Sequence, residues 1–260
     1  MTGISFKYFL FEFRKIWTIP VIIISGIIFF FSLLITFLPL IFGAYSAEGP
    51  IQEINVSMIL SSAFSILVPL MSFMFGAGII SNDIKSHWLR TVMSRPVTKA
   101  DYLLTKIITA STAIFIILIL CGTIPVIILS FLTPNKVVFD IVHFISIHAL
   151  YLGETLTYIS IAALFSCWTP GFMNVFILGI WMLVDMISSS VINNYFWDNG
   201  IALVISDFFF PSGFKEAASV IISNGDFPVE KIMWGLSSLF GFLSLALLGF
   251  SFIQVDKGIE

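Results

Sequence analysis

Polarity along the chain is organised in long apolar runs separated by short polar stretches. Six runs, 18–44, 56–80, 103–132, 141–166, 173–192 and 232–253, each hold about 20 or more mostly apolar residues, enough to cross a bilayer as a helix. The apolar character goes all the way round each run instead of alternating, which predicts helices and excludes the strands of a barrel. Runs four and five are split only by Cys167-Trp168-Thr169-Pro170-Gly171-Phe172, where the Pro-Gly pair predicts a turn. Run one has basic residues ahead of it and small residues after it, yet it is far longer than the apolar core of a cleaved leader, so it is read as a retained helix.

Two shorter patterns add to this. Phe6, Phe9, Leu10, Phe13, Ile16 and Trp17 recur at helical spacing among Lys7, Glu12, Arg14 and Lys15. An amphipathic helix of that kind lies in the membrane interface, and Pro20 suits the start of a separate spanning helix. Run two carries Ser57, Ser61, Ser65, Ser72 and Gly76 in a stripe with Pro69. Small residues on one face permit close helix approach, and the proline predicts a kink. Residues 193–231 contain apolar pieces too short to span, at 201–205, 208–210 and 217–222, and are expected to form short helices at the outer surface.

Composition agrees with a membrane protein. The chain is 58% hydrophobic and 10% charged with a mean hydropathy of +1.07, whereas soluble domains carry roughly 25% charged residues. No segment is polar enough to form a soluble domain, so 1–260 reads as one transmembrane domain. The two cysteines, Cys121 and Cys167, sit in or beside apolar runs and act as small apolar residues. With six spans, Lys7, Arg14, Lys15, Lys85, Arg90, Arg95, Lys99, Lys106 and Lys257 fall on one side. Only Lys136, Lys215 and Lys231 fall on the other, among eight acidic residues. The asymmetry predicts that both termini are cytoplasmic.

Little enzymatic chemistry is legible. The sequence has no G-x-x-x-x-G-K-[ST] phosphate loop, no H-E-x-x-H and no G-x-S-x-G. His143 and His148 stand five residues apart, a poor spacing for two ligands on one helix face. No metal, cofactor or nucleic-acid site is expected. Two ionisable residues lie inside predicted spans, Glu154 and Asp185. Each is roughly 20–25 Å along its helix from the 167–172 turn, so a hairpin of runs four and five would place them at matching depth. Buried carboxyls of this kind are either neutral and bonded to neighbours such as Tyr158 or Ser188, or functional contacts for a substrate, an ion or a partner.

The polar stretch between runs two and three, 81–106, carries Lys85, Arg90, Arg95, Lys99 and Lys106 against Asp83 and Asp101. Residues 88–97 mix apolar positions at helical spacing with arginines, predicting a short amphipathic helix ended by Pro96, with Thr98 or Asp101 capping the next. Asp83, Leu89-Arg90, Val92-Met93-Ser94-Arg95-Pro96-Val97, Lys99 and Leu104-Thr105-Lys106 resemble the signature of the ABC-2 type transporter permeases. His87-Trp88 replace the usual Gly-Thr of that signature, and Thr105 replaces its Gly. The resemblance implies an all-α membrane fold of six transmembrane helices with an N-terminal interfacial helix, in the type V exporter-like architecture. It also implies a plasma-membrane permease paired with a second permease, as homodimer or heterodimer, and with membrane lipids around it. Separate cytoplasmic ATPase subunits would bind ATP and magnesium and dock on loop 81–102. Asp83, Leu89, Arg90, Arg95, Pro96, Lys99 and Lys106 are then the coupling residues. An ion-coupled secondary transporter using Glu154 and Asp185 is the other reading, although the two halves show no internal repeat.

Overall fold

The computed structural model describes residues 6–45, 54–94, 97–132, 137–169, 173–181, 183–184, 208, 212–224 and 227–253. The chain is a multi-pass helical membrane protein. Its helices are α1 (Phe6–Ile16), α2 (Ile19–Tyr45), α3 (Val56–Gly76), α4 (Ser81–Lys85), α5 (Trp88–Met93), α6 (Lys99–Leu132), α7 (Ile141–Ser166), α8 (Gly213–Asn224) and α9 (Val229–Ser251). Residues 173–181 are also helical. Among the described residues, Val56–Lys85, Lys99–Leu132, Ile141–Ser166 and Val229–Ser251 are long and apolar enough to span. The α1–α2 pair, turned by 72° at its junction, adds a fifth. Residues 182 and 185–192 of the predicted fifth run lie outside the described residues.

Local chemistry sets several boundaries. Asn55 opens α3, its side-chain oxygen accepting from the N–H groups of Ser57 (3.0 Å) and Met58 (3.4 Å). Asp140 does the same for α7, accepting from Val142 (2.7 Å) and His143 (3.3 Å), and these two N–H groups hold its carboxyl below the usual carboxylate range. At the start of α6 the Thr98 hydroxyl accepts from the Asp101 N–H (3.0 Å) and donates to the Asp101 carboxylate (2.7 Å), a reciprocal cap. The residues before the α3 and α7 caps are tied together: Ile54–Asn55 (β1) pairs in parallel with Val137–Val138 (β2).

Helix α7 is the hub, packing on α9, α3, α6 and α8. Its buried hydroxyls Thr155, Thr157 and Ser160 do not need water, because they donate to carbonyls one turn back at 2.7–3.0 Å. The small-residue stripe of α3 meets this helix. Ser61 bonds Tyr151 at 3.0 Å, and a β-carbon placed on Gly76 would stand 2.4 Å from that of Ala162. At Ser61 and Gly76 the stripe therefore packs against α7, and α3 runs through Pro69 without a break. Large apolar side chains such as Ile23, Phe30, Ile66, Leu120, Phe240 and Leu248 face outward, as a lipid environment requires.

In the segment expected to hold short outer helices, α8 covers 217–222. Phe214 wedges between Gly153 of α7 and Gly235 of α9, where added β-carbons would lie 2.8 Å and 2.9 Å from its ring. Ser212 donates to Glu216 at 2.7 Å, and Glu216 pairs with Lys231 at 2.5 Å, fixing α8 to the start of α9.

Candidate functional site: the ion-paired junction of α1, α4 and α6

The 81–106 stretch holds two short helices, α4 and α5, and the first residues of α6; the helix expected over 88–97 is α5, Trp88–Met93. After α3 ends, Gly78 adopts φ +81, a conformation open to glycine at no steric cost, and the chain turns into α4. The first N–H groups of α4 have no cap of their own. The Ser166 hydroxyl at the end of α7 supplies it, accepting from Ile80 (3.1 Å) and Ser81 (3.0 Å). Between α4 and α5 stands His87 at φ 55, ψ 10, the only non-glycine residue with positive φ among the described residues.

Four charges and a phenol meet where α1, α4 and α6 converge. Lys106 of α6 bridges two carboxylates, Glu12 at 2.5 Å and Asp83 at 2.5 Å. Asp83 also takes Lys15 at 2.7 Å and the Tyr102 hydroxyl at 2.5 Å. Glu12, Asp83, Lys106 and Tyr102 are 2%, 4%, 7% and 0% exposed, so their charges are poorly screened and each depends on its partners. The Lys15 side chain is 42% exposed and forms the open edge. It also sits 5.2 Å from the Trp88 ring, which stacks on Phe11 at 5.5 Å. Tyr102 is held in turn by Phe250 of α9, ring to ring at 5.5 Å. The amphipathic helix, the loop and α6 are thereby joined by one set of contacts.

The predicted coupling residues divide into two groups. Asp83 and Lys106 are interior members of the ion-pair cluster. Leu89 is buried with Val92 on the inner face of α5. Lys99 donates to the carbonyls of Ser251 (2.9 Å) and Ile253 (2.7 Å), closing the end of α9. Arg90 lies on the exposed face of α5, beside exposed Lys85 and His87 of the same loop. Arg95 and Pro96 lie outside the described residues, as does Asp185. Glu154 is wholly buried within α7. His148 is packed between Phe64 and Phe144, its Nδ1 at 2.8 Å from the Phe144 carbonyl.

Glu12 is the residue that sequence reading misplaced. It looks like polar decoration on an interfacial helix, yet it is among the most buried acids in the protein. The usable signal was Tyr8, Glu12 and Lys15 at i, i+4 and i+7, one aligned polar stripe. α1 turns Tyr8 and Glu12 to the protein with Lys15 at the edge, and exposes Phe6, Leu10 and Phe11 together with Lys7 and Arg14.

The profile of a family described as ABC-2 family transporter protein matches residues 9–194. That span includes most of α1, the four charges of the junction and α7. No curated protein matches the sequence significantly.

Proposed function

Because the chain belongs to the ABC-2 transporter family, we propose that it is the permease subunit of an ATP-driven exporter, energised through its α4–α5 loop by a separate cytoplasmic ATPase. The observation that carries this reading is the ion-paired junction. It fastens the loop to α1 and α6, so a push on exposed Arg90 and Lys85 moves spanning helices together instead of bending a loose loop. The sequence has no phosphate-binding loop, so ATP and magnesium would be held by the partner. In this reading six spans place both termini, α1 and the junction at the cytoplasmic face of the plasma membrane, as the Lys and Arg distribution favours. A second permease copy or a homologue completes the path. The few polar groups of the interior suit an amphipathic or lipid-like cargo.

The test is co-purification and transport together. The tagged chain from native membranes is expected to bring down a subunit bearing a phosphate-binding loop. The Arg90→Glu, Arg95→Glu double variant should fold, reach the membrane and lose that subunit. Normal ATP-dependent transport by the double variant, or a purified wild-type chain never accompanied by such a subunit, would reject the coupling role. Glu154→Gln tests the ion-coupled reading in the same assay, and transport that survives it removes Glu154 as a coupling group.

A further inference from the structure

Helix α1 has a second face that the junction leaves unused. At 3.6 residues per turn, Tyr8 and Glu12 share one side, and Phe6, Phe9, Leu10 and Phe13 form an apolar arc apart from them. Phe9 stacks on Phe6 at 6.4 Å and on Phe13 at 6.0 Å, so the arc is a continuous aromatic strip. Lys7 and Arg14, two helical turns apart, border this strip beside Leu10, on the side away from Glu12. Both are exposed, and neither has an ionic partner among the described residues. Lys15 is by contrast held by Asp83, and the only acid of α1, Glu12, is buried on Lys106. The exposed face of α1 therefore carries cations and no acid. At its junction with α2 the chain turns by 72°, and Ile22, Ile23, Ile27 and Phe30 of α2 face outward as on a lipid-facing span. A helix at that angle to a spanning one runs close to the bilayer surface. Its aromatic strip then reaches the outermost acyl carbons, and the bordering cations stand level with the phosphates.

We infer that Lys7 and Arg14 bind the phosphates of anionic phospholipids, and that the protein thereby selects anionic lipid around α1. A zwitterionic headgroup brings its own cation, which the two side chains repel and which no acid on this face can hold. A net negative headgroup brings none, so it gains from both. The aromatic strip beside the cations assigns the phosphate to a lipid: it has no role toward a soluble anion, whereas acyl carbons cover it. This inference needs only the membrane placement of the chain and is independent of ATPase coupling.

Native mass spectrometry of the detergent-purified full chain tests it, with equal amounts of chain-matched phosphatidylglycerol and phosphatidylcholine. One Lys or Arg at an anionic surface corresponds to about fivefold in binding, so the wild-type chain should retain phosphatidylglycerol at least about fivefold over phosphatidylcholine. Lys7→Gln with Arg14→Gln should bring that ratio close to one. Both positions are exposed, so the double variant should keep the wild-type melting midpoint. Lys85→Gln with Arg90→Gln, on the loop, should leave the ratio unchanged. Equal retention of the two lipids by the wild-type chain, or a preference that survives in Lys7→Gln, Arg14→Gln, would overturn the inference. A preference lost only in the loop variant would overturn it in favour of the α4–α5 loop. Displacement of the lipid by equimolar glycerophosphoglycerol would overturn the lipid assignment, because the aromatic strip would then contribute nothing. An α1 variant that keeps its lipid preference but loses a co-purifying subunit would give this face to a protein partner instead.

Discussion

Lys106→Met is the most informative perturbation of the junction. Lys106 neutralises Glu12 and Asp83 at once, at 2.5 Å from each, and both carboxylates are nearly inaccessible to water. Met fills the volume but leaves Glu12 with no ion partner and Asp83 with Lys15 alone. Removing one member of a buried pair costs about 3–5 kcal/mol, against about 0–1 for an exposed pair. For a chain of this size about 1 kcal/mol corresponds to about 2–4 °C, so the midpoint should fall by about 6–20 °C. Free cysteines Cys121 and Cys167 are both buried, so a maleimide dye that fluoresces on thiol attachment reports unfolding in detergent. Glu12→Gln should recover much of the loss in the Lys106→Met background, because it removes the stranded charge, while destabilising the wild type. Lys15→Ala, at a half-open position, should cost under about 1 kcal/mol. A Lys106→Met shift below about 2 °C, or a double variant no better than Lys106→Met, would refute the claim that this is a desolvated, mutually dependent cluster.

Other outcomes follow from local geometry. Gly76→Ala should cost about 1–3 kcal/mol by the same dye assay, since its β-carbon meets that of Ala162 at 2.4 Å, and adding Ala162→Gly should return most of it. His87→Gly should raise the melting midpoint by relieving a left-handed conformation that costs an ordinary residue about 1 kcal/mol, whereas His87→Val should lower it. The Asp140 carboxyl is depressed by the α7 N–H groups, so its contribution is present above about pH 4, its unfolded value, and is lost as pH falls through the lower folded value. In Asp140→Asn, which caps without a charge, the melting midpoint should fall less on acidification over that window than in wild type; equal losses would show that the cap's charge contributes nothing.

The run-and-gap pattern of the sequence was enough to locate helices. A run apolar all round has one stable form in lipid, and the predicted 141–166 is the helix Ile141–Ser166, opened by the Asp140 cap one residue before it. The loop signature was equally local, and it led to the family to which the chain belongs. What the 81–106 stretch could not reveal was which of its charges face inward. Lys99 and Lys106 carry the same formal charge as exposed Lys85 and Arg90 of the same region, and only the approach of α9 and α1 separates them. Glu12 makes the point most clearly: periodicity gives the angle of a residue around its helix but not what packs on that side. In a membrane protein a charged residue can be a buried one where another helix brings it an opposite charge, as α6 brings Lys106 to Glu12. Sequence determined that α1 is amphipathic; the tertiary structure decided that Glu12 is interior while Lys7 and Arg14 stay exposed, because Lys106 of α6 meets Glu12.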